Sequence, residues 1–277
     1  MKKGVIALIV IGAAIVLAGI LVALNFIVIR IQSKKYDLID MTPVQDIDLA
    51  PEEEGYATLS EMTMHYIRYG HGKKTIIAIH GNGGSAESLA HVARYFAKDY
   101  TVYCIADRCQ GKSSDPGVIS YELMAKDVYE FICQKGLEKP YIIGHSDGGM
   151  VGIALAANYP DSVGALFSIG SNSNPKTFKP KMTVAVWFSN LFRKNKLNDL
   201  MLEQPDFNEA YLARITAPTY IVAGEYDIMY LSDVVYLSEH IAGSKMSIYK
   251  SSDHSAHVAN GSICVLAEKF FDTLEDE

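Results

Sequence analysis

The sequence predicts an α/β fold in which a mostly parallel central sheet is covered by helices on both faces. Short continuous apolar runs, typical of strands buried on both sides, alternate along the chain with helical patterns. Strands and helices that alternate in this way form a largely parallel sheet with both faces covered. The predicted strands occupy residues 75–80, 101–106, 141–143, 165–169 and 219–223, and the predicted helices occupy residues 86–96, 121–134, 149–158 and 263–274.

Residues 1–30 predict one N-terminal transmembrane helix. Positions 4–29 carry no charge and would span about 39 Å as a helix, against roughly 30 Å for the hydrocarbon core of a bilayer. A cleaved signal peptide is the alternative, because Lys2 and Lys3 form a basic start and Val16-Leu17-Ala18 resembles a cleavage site. The uncleaved anchor is favoured because the apolar sequence continues well beyond the length of a signal core, about 7–15 residues.

This anchor predicts a single-pass membrane protein. A short basic N-terminus ahead of a long apolar run usually stays inside, which would place the rest of the chain outside the cytoplasm. Charge alone does not decide the orientation, because Arg30, Lys34 and Lys35 follow the apolar segment. Four cysteines without a CxxC pair are too few for a disulfide scaffold, and free thiols argue instead for a reducing compartment.

Residues 31–54 predict a polar tether with little regular structure. The segment contains two prolines and ends in the acidic run Glu52-Glu53-Glu54. The folded domain is expected to occupy residues 55–277. It begins with a hairpin over residues 58–69, where strand-like alternation is broken at Ser60-Glu61.

Residues 171–215 do not fit the alternation, because they are too long for an ordinary connection between two buried strands. Six basic side chains between positions 176 and 196 are mixed there with the apolar residues Val184, Trp187, Phe188, Leu191 and Phe192. One interpretation is an inserted helical lid over a pocket. The other is a surface helical pair whose Trp187 and Phe188 pack on the sheet. Both stay open, and the lid is the prediction carried forward.

The charge distribution excludes one class of partner. The formal net charge is −7, but residues 1–35 contain five basic and no acidic side chains, which leaves 20 basic and 32 acidic side chains, or −12, on the rest. Such a body has no broad cationic face, so a nucleic-acid partner is not expected. The eight histidines include no HExxH pattern, and we predict neither a metal nor a cofactor.

The motif Gly144-His145-Ser146-Asp147-Gly148 lies between a predicted strand and a predicted helix. A serine at the tip of such a turn requires a strained backbone, and the residues two before and two after it must be small because the chain crosses itself closely. The helix N-terminus behind the serine favours developing negative charge. The motif therefore predicts that Ser146 is a nucleophile.

Four further motifs follow predicted strands or lie near the C-terminus. His80-Gly81-Asn82-Gly83-Gly84 directly follows a predicted strand, and residues 106–113 follow the next one. Gly224-Glu225-Tyr226-Asp227 follows a late strand, and Ser252-Asp253-His254 comes close to the C-terminus. The order Ser, Asp, His along the chain is the one used by the α/β-hydrolase fold family, which the sequence resembles from about residue 55 to residue 274.

Each motif resembles a part of that family. His80–Gly84 resembles its oxyanion loop, Asp227 stands in its acid turn, and His254 stands in its histidine loop. Residues 106–113 resemble the family's Asp-x-Arg-Gly-x-Gly-x-Ser turn, with Ala106 in place of the first Asp and Cys109 in place of the first Gly. These departures concern the shape of the loop.

The resemblance implies a serine hydrolase that forms an acyl-enzyme from a small-molecule ester, thioester or small amide. His254 would act on Ser146 as general base, and Asp227 would hold the imidazole and stabilise its charged form. The backbone N–H groups of Asn82 and Asp147 would bind the oxyanion. Because only their backbones act, we expect the side chains at these two positions to be weakly constrained.

Alternatives exist for the function and for single residues. The same triad serves acyltransferases and peptidases, and a membrane-tethered binding module could keep the fold without turnover. Glu225 and Asp233 compete with Asp227 as the acid, and His257 competes with His254. Gly81-Asn82-Gly83 also mimics a dinucleotide-binding loop, but such a protein would not need the serine motif, the acid turn or the late histidine. The sequence leaves the oligomeric state undetermined.

Overall fold

The computed structural model describes residues 11–13, 15–16, 19–20, 23–24, 27, 36–192 and 194–274. The chain divides into two units, Met1–Leu38 and Ile39–Glu277. The described part of the chain contains a nine-stranded sheet. Its strands are β1 (Leu38–Ile39), β2 (Glu53–Thr58), β3 (Thr63–Tyr69), β4 (Lys74–Ile79), β5 (Tyr100–Ile105), β6 (Tyr141–His145), β7 (Ala165–Ile169), β8 (Thr219–Gly224) and β9 (Lys245–Tyr249).

The strands lie in the order β1-β9-β8-β7-β6-β4-β5-β3-β2. The six from β9 to β5 are parallel to one another, whereas β3 pairs antiparallel with both β5 and β2. The α/β class and the mostly parallel sheet are therefore confirmed, with an antiparallel hairpin on one side that makes the sheet mixed. The carboxyl ends of the parallel strands all meet at one edge.

The helices are α1 (Ala90–Phe96), α2 (Tyr121–Lys135), α3 (Asp147–Asn158), α4 (Pro180–Phe192), α5 (Lys196–Glu203), α6 (Glu209–Leu212), α7 (Leu231–His240), α8 (Ala256–Ala259) and α9 (Ser262–Asp272). Of these, α3 is buried over nearly its whole length, which explains why its sequence consists of small and apolar residues. Gly152 lets it approach the sheet, because a Cβ there would lie 2.6 Å from Leu166 Cδ1. Fully buried aromatic side chains from α2, β7 and α9 fill the core, among them Phe131, Phe167 and Phe271.

The predicted hairpin exists but begins earlier than the sequence indicated. Strand β2 starts at Glu53, inside the segment predicted as a polar tether, and Glu53 pairs in register with Arg68 of β3. The Glu53 carboxylate accepts a hydrogen bond from Arg68 Nε at 3.1 Å, and Glu54 forms an ion pair with Lys112 at 2.6 Å. Cations from β3 and from the loop after β5 thus pair with acidic residues that the sequence predicted to lie in an irregular tether. The tether's N-terminal residues 31–35 lie outside the described residues.

The prediction of a transmembrane helix is wrong. Most of the predicted span, residues 4–29, lies outside the described residues, and its described helical positions are 11–13, 15–16, 19–20, 23–24 and 27. No helix in the described part of the chain combines the length and apolar character needed to cross a bilayer, which takes about 20 consecutive residues. The predicted membrane partnership and single-pass membrane localisation, which rested on that helix, are corrected with it.

Residues 171–215, predicted as a lid, are largely helical and contain α4, α5 and α6. Trp187 is 58% exposed and Phe188 is 54% exposed, so these side chains do not pack on the sheet. The backbone carbonyl of Leu197 in α5 accepts a hydrogen bond from Asn82 Nδ2 at 3.2 Å. The inserted segment therefore touches the loop that follows β4, and its action as a lid stays a prediction.

Candidate active site

Ser146 stands at the turn between β6 and α3. Its backbone has φ 55° and ψ −119°, a conformation that costs a non-glycine residue on the order of 1–3 kcal/mol. Two glycines make the turn possible: a Cβ at Gly144 would lie 2.2 Å from the carbonyl oxygen of Gly148, and one at Gly148 would lie 2.1 Å from that of Ile79. The small residues expected on both sides of the serine are thus required by backbone contacts.

His254 lies between Ser146 and Asp227. Its Nε2 is 3.0 Å from Ser146 Oγ, and its Nδ1 is 2.6 Å from Asp227 Oδ1. With Nδ1–H donating to the carboxylate, Nε2 is left as an acceptor facing the serine hydroxyl. The structure thus brings together the three side chains that the sequence singled out, from positions 27 and 108 residues apart along the chain.

Sheet order explains this meeting. Ser146 follows β6, Asp227 follows β8 and His254 follows β9, and these strands are parallel neighbours with β7 between β6 and β8. The residue after β7 is Gly170, at φ +63°, where a Cβ would lie only 2.7 Å from His254 Cε1. Gly170 therefore makes room for the imidazole. Sequence reasoning missed it, although a glycine directly after a buried strand was the available signal.

The Asp227 carboxylate is buried and well supplied with donors. Its Oδ2 accepts from Gly224 N at 3.0 Å and its Oδ1 from Ile228 N at 2.8 Å. Burial raises the pKa of Asp227, but the charge and hydrogen bond of His254 outweigh burial, and the net pKa is lowered. Burial likewise lowers the pKa of His254, but Asp227 opposes it and the net pKa is raised. The pair thus favours a charged imidazole.

The residues that compete with Asp227 and His254 for the roles of acid and base form hydrogen bonds with other partners. Glu225 accepts a hydrogen bond from Ser251 N at 2.8 Å, and Asp233 accepts from Ser173 N at 2.8 Å. His257 is buried with Nδ1 at 2.7 Å from Ser252 Oγ, and burial lowers its pKa to about 4. In the described part of the chain, none of the three forms a hydrogen bond with His254 or Ser146.

Lys179 is a second residue that sequence reasoning missed. Its buried Nζ donates to the Asp227 carbonyl oxygen at 2.5 Å, and its backbone N donates to Ile228 O at 2.8 Å. Burial lowers its pKa, while the charge of Asp227 opposes that effect. These contacts fasten the inserted segment to the acid turn. The sequence offered no signal beyond a general excess of lysine in the insertion.

The loop after β4 lies against the serine. A Cβ at Gly81 would be 3.1 Å from Ser146 Cβ, which places the next residue, Asn82, beside the turn. Asn82 Nδ2 donates to Asp147 Oδ2 at 2.8 Å, so the two residues predicted to bind the oxyanion are joined through their side chains. Those side chains are therefore more constrained than the sequence indicated.

A further carboxyl group, that of Asp107, is completely buried near Asp147. Neither of its oxygens has a hydrogen-bond partner among the described residues. Burial, reinforced by the charges of Asp147 and Asp127, raises its pKa well above the usual range, and Arg108 only partly opposes this. The ionised form of the Asp107 carboxyl is therefore disfavoured in the folded protein.

Asp107→Asn is expected to raise the Tm at pH 7 by a few degrees. Because the folded pKa lies above the unfolded one, the wild type loses stability as pH rises above the unfolded pKa, and a neutral side chain escapes this loss. The gain should vanish near pH 3, where the carboxyl is protonated in both states. Thermal unfolding at both pH values measures the effect.

The matched control is Asp127→Asn. Asp127 accepts from Arg108 Nε at 2.6 Å and Nη2 at 2.7 Å in a buried pair, so this variant should lose on the order of 3 kcal/mol of stability. A destabilised Asp107→Asn protein at pH 7 would show that the Asp107 carboxyl is ionised and held by contacts of its own.

One group of potential metal ligands occurs among the described residues. Ligand atoms of Glu54, His65 and Glu87 lie within 4.8 Å of one another. Lys112 Nζ forms ion pairs with Glu54 at 2.6 Å and Glu87 at 3.1 Å. A single ammonium group thus forms ion pairs with both carboxylates, so their proximity is explained without a metal.

Comparison with known proteins yields a consistent set of similarities. Residues 74–202 match the family model described as the alpha/beta hydrolase fold. A 2-hydroxy-6-oxononadienedioate/2-hydroxy-6-oxononatrienedioate hydrolase of Dechloromonas aromatica is 32% identical over 150 residues, 50% of this chain and 51% of that protein. An esterase of Escherichia coli K12 is 31% identical over 99 residues, 36% of this chain and 39% of that protein.

Solved structures extend the similarity at the level of the fold. The crystal structure of a membrane phospholipase A superposes with a TM-score of 0.66 at 19% identity and covers 100% of both chains. The curated relatives named above are matched over about two fifths to one half of their own length.

Proposed function

Because the chain belongs to the α/β-hydrolase family, we propose that it is an esterase/lipase-like serine hydrolase acting on a small-molecule carboxylic ester, thioester or small amide. The observation that carries this proposal is the continuous chain of hydrogen bonds from Ser146 through His254 to Asp227, at 3.0 and 2.6 Å. A nucleophile, a base and an orienting acid in this geometry are the elements of acyl transfer. The hydrolase and esterase names of the relatives point to the same chemistry.

The first half of the proposed reaction forms an acyl-enzyme. Ser146 Oγ attacks the carbonyl carbon while His254 Nε2 takes the hydroxyl proton, and the carbonyl oxygen becomes an oxyanion. The tetrahedral intermediate then expels the alcohol, thiol or amine, which receives the proton from His254. In the second half, water donates its proton to His254 and attacks the acyl carbon, and Ser146 regains its proton as the acid product leaves.

Two parts of the site would lower the barrier. Asp227 stabilises the imidazolium that forms in each half-reaction, and the strong hydrogen bond between the two groups supports this role. The backbone N–H groups of Asn82 and Asp147 would hold the oxyanion, each donor contributing about 3 kcal/mol. The contact between Gly81 and Ser146 supports the placement of the first of these donors.

Labelling by a fluorophosphonate probe tests the proposal. The wild type should react at Ser146, because the probe phosphorylates a serine activated by a neighbouring base. The reaction should be lost in Ser146→Ala and strongly reduced in His254→Ala, whereas Ser189→Ala, at an exposed position of α4, should label like the wild type. A folded wild type that stays unlabelled would exclude the hydrolase and leave a non-catalytic binding module.

A further inference from the structure

A buried polar chain runs behind Ser146. The Asp147 side chain is fully buried, and its Oδ2 accepts from Asn82 Nδ2 at 2.8 Å. Its Oδ1 accepts from the hydroxyl of Tyr121, the first residue of α2, at 3.0 Å. Three separate parts of the chain, namely the loop after β4, the serine turn and the start of α2, thus meet at one carboxylate.

Burial disfavours the ionised form of this carboxylate. Burial raises the pKa of Asp147 to about 6, although the hydrogen bonds from Asn82 and Tyr121 oppose the shift. A buried ionised group that serves packing alone is often replaced by an apolar side chain without loss of stability. The position directly after Ser146 needs only its backbone N–H for the proposed chemistry. The proposed chemistry therefore does not by itself account for the Asp147 side chain, which joins distant segments through two buried hydrogen bonds.

The position of the two bonded residues indicates what the side chains do. Asn82 and Asp147 are 65 residues apart along the chain, and their backbone N–H groups are the two donors proposed for the oxyanion. A direct side-chain hydrogen bond between them limits how far the two backbones can separate. An oxyanion site depends on donor positions within a few tenths of an ångström, and a displacement of 1 Å can cost about 10²-fold in rate.

The same chain reaches the inserted segment at two places. Asn82 Nδ2 also donates to Leu197 O at 3.2 Å, near the start of α5. Tyr121 N donates to the side-chain oxygen of Gln204 at 3.3 Å, directly after α5 ends. Both outer members of the buried chain are therefore held by the segment at the two ends of one helix.

We infer that Asn82, Asp147 and Tyr121 form a clamp of positioning residues that sets the spacing of the two oxyanion donors and ties it to α5. The inference rests on the proposed function. The clamp does not touch the reacting atoms through its side chains, and it acts through the backbone of Asn82 and Asp147. Its loss should therefore lower kcat with little change in KM.

The test measures hydrolysis of p-nitrophenyl acetate by the full chain. Asn82→Ala and Asp147→Asn should each lower kcat about 10- to 100-fold with KM within about twofold of the wild type. The reciprocal double variant, Asn82→Asp with Asp147→Asn, restores a donor and an acceptor in exchanged places. It should recover most of the lost kcat, which a general structural role of either side chain would not produce.

Two controls keep the result decisive. Asn198→Ala removes a hydrogen bond to Ser189 within the inserted segment without touching the clamp, and it should leave kcat unchanged. Thermal unfolding of every variant identifies any that fail to fold. If one does, Tyr121→Phe replaces it, because this change removes only one hydroxyl of the clamp. Tyr121→Phe should also lower kcat.

The outcomes separate the two proposals. An active wild type whose kcat is unaffected by Asn82→Ala, or a double variant no better than the single ones, would overturn the clamp and leave the hydrolase standing. A folded wild type with no hydrolysis and no fluorophosphonate labelling would overturn both.

Discussion

Replacing Ser146 by alanine is expected to lower kcat for ester hydrolysis by about 10⁶-fold, the largest effect of any single change in this protein. The alanine removes the only hydroxyl within hydrogen-bond distance of His254 Nε2 in the described part of the chain, so the acyl-enzyme cannot form. Residual activity should come from the oxyanion donors and substrate binding alone. Steady-state kinetics on p-nitrophenyl acetate measures the loss.

The matched control for this change is Ser168→Ala. Ser168 is buried in β7 and bonded to Ser171 Oγ at 2.6 Å, so its loss probes the removal of a buried hydroxyl away from His254. It should cost stability but leave kcat within a few fold. A Ser146→Ala protein that keeps more than about a hundredth of wild-type kcat would place the nucleophile elsewhere.

Asp227→Asn is expected to lower kcat by about 10⁴-fold while the protein stays folded. An amide at this position can donate its own N–H to His254 Nδ1. The imidazole can then carry its proton on Nε2, facing Ser146, and it no longer acts as a base. It also removes the charge that stabilises the imidazolium. The change is nearly isosteric, and the amide oxygen can still accept a hydrogen bond from one of the two backbone donors, Gly224 N or Ile228 N.

The pH profile provides an independent signature of Asp227. His254 must be neutral to accept the serine proton, so activity falls as pH drops through the pKa of His254. That pKa is raised in the wild type because the charge and hydrogen bond of Asp227 outweigh burial. In Asp227→Asn the acid limb should shift to lower pH, since burial then acts unopposed by the main partner.

Glu225→Gln is the control for the acid. Glu225 stands two residues before Asp227 and accepts from Ser251 N at 2.8 Å, a bond that glutamine can keep. This variant should retain the wild-type pH profile and nearly wild-type kcat. If it lost activity to the same extent as Asp227→Asn, Glu225 would have to be reconsidered as the acid.

Local sequence patterns predicted much of the sheet. The runs at 75–80, 101–106, 165–169 and 219–223 correspond closely to β4, β5, β7 and β8, because a strand buried on both faces needs consecutive apolar residues. The short strand β9, Lys245–Tyr249, was not predicted, since its five residues alternate charged, apolar and polar side chains at one side of the sheet. The apolar run at 4–29 was misread as a membrane span because length and hydropathy alone do not report what a segment forms.

Some residues of the candidate site were likewise predictable from local sequence, and others were not. The glycines around Ser146 were predictable because each relieves a contact imposed by the turn itself. The choice of Asp227 over Glu225 and Asp233 rested on its position in a motif. The catalytic roles of Ser146, Asp227 and His254 stay predictions. Gly170 and Lys179 were not predicted, because each contacts a site residue that lies far away along the chain. Gly170 lies against His254, and Lys179 donates to the carbonyl oxygen of Asp227.

Consecutive residues were enough to predict the α/β class, most strands of the sheet and the serine turn, because these depend on local conformation and burial. The contacts between side chains from distant parts of the chain became visible only in the folded protein. The parallel order of β6 to β9 brings Ser146, Asp227 and His254 to one edge, and the packing of three distant segments joins Asn82 to Asp147 and Tyr121. Such contacts depend on strand order and on the path of long connections, which neighbouring residues do not encode.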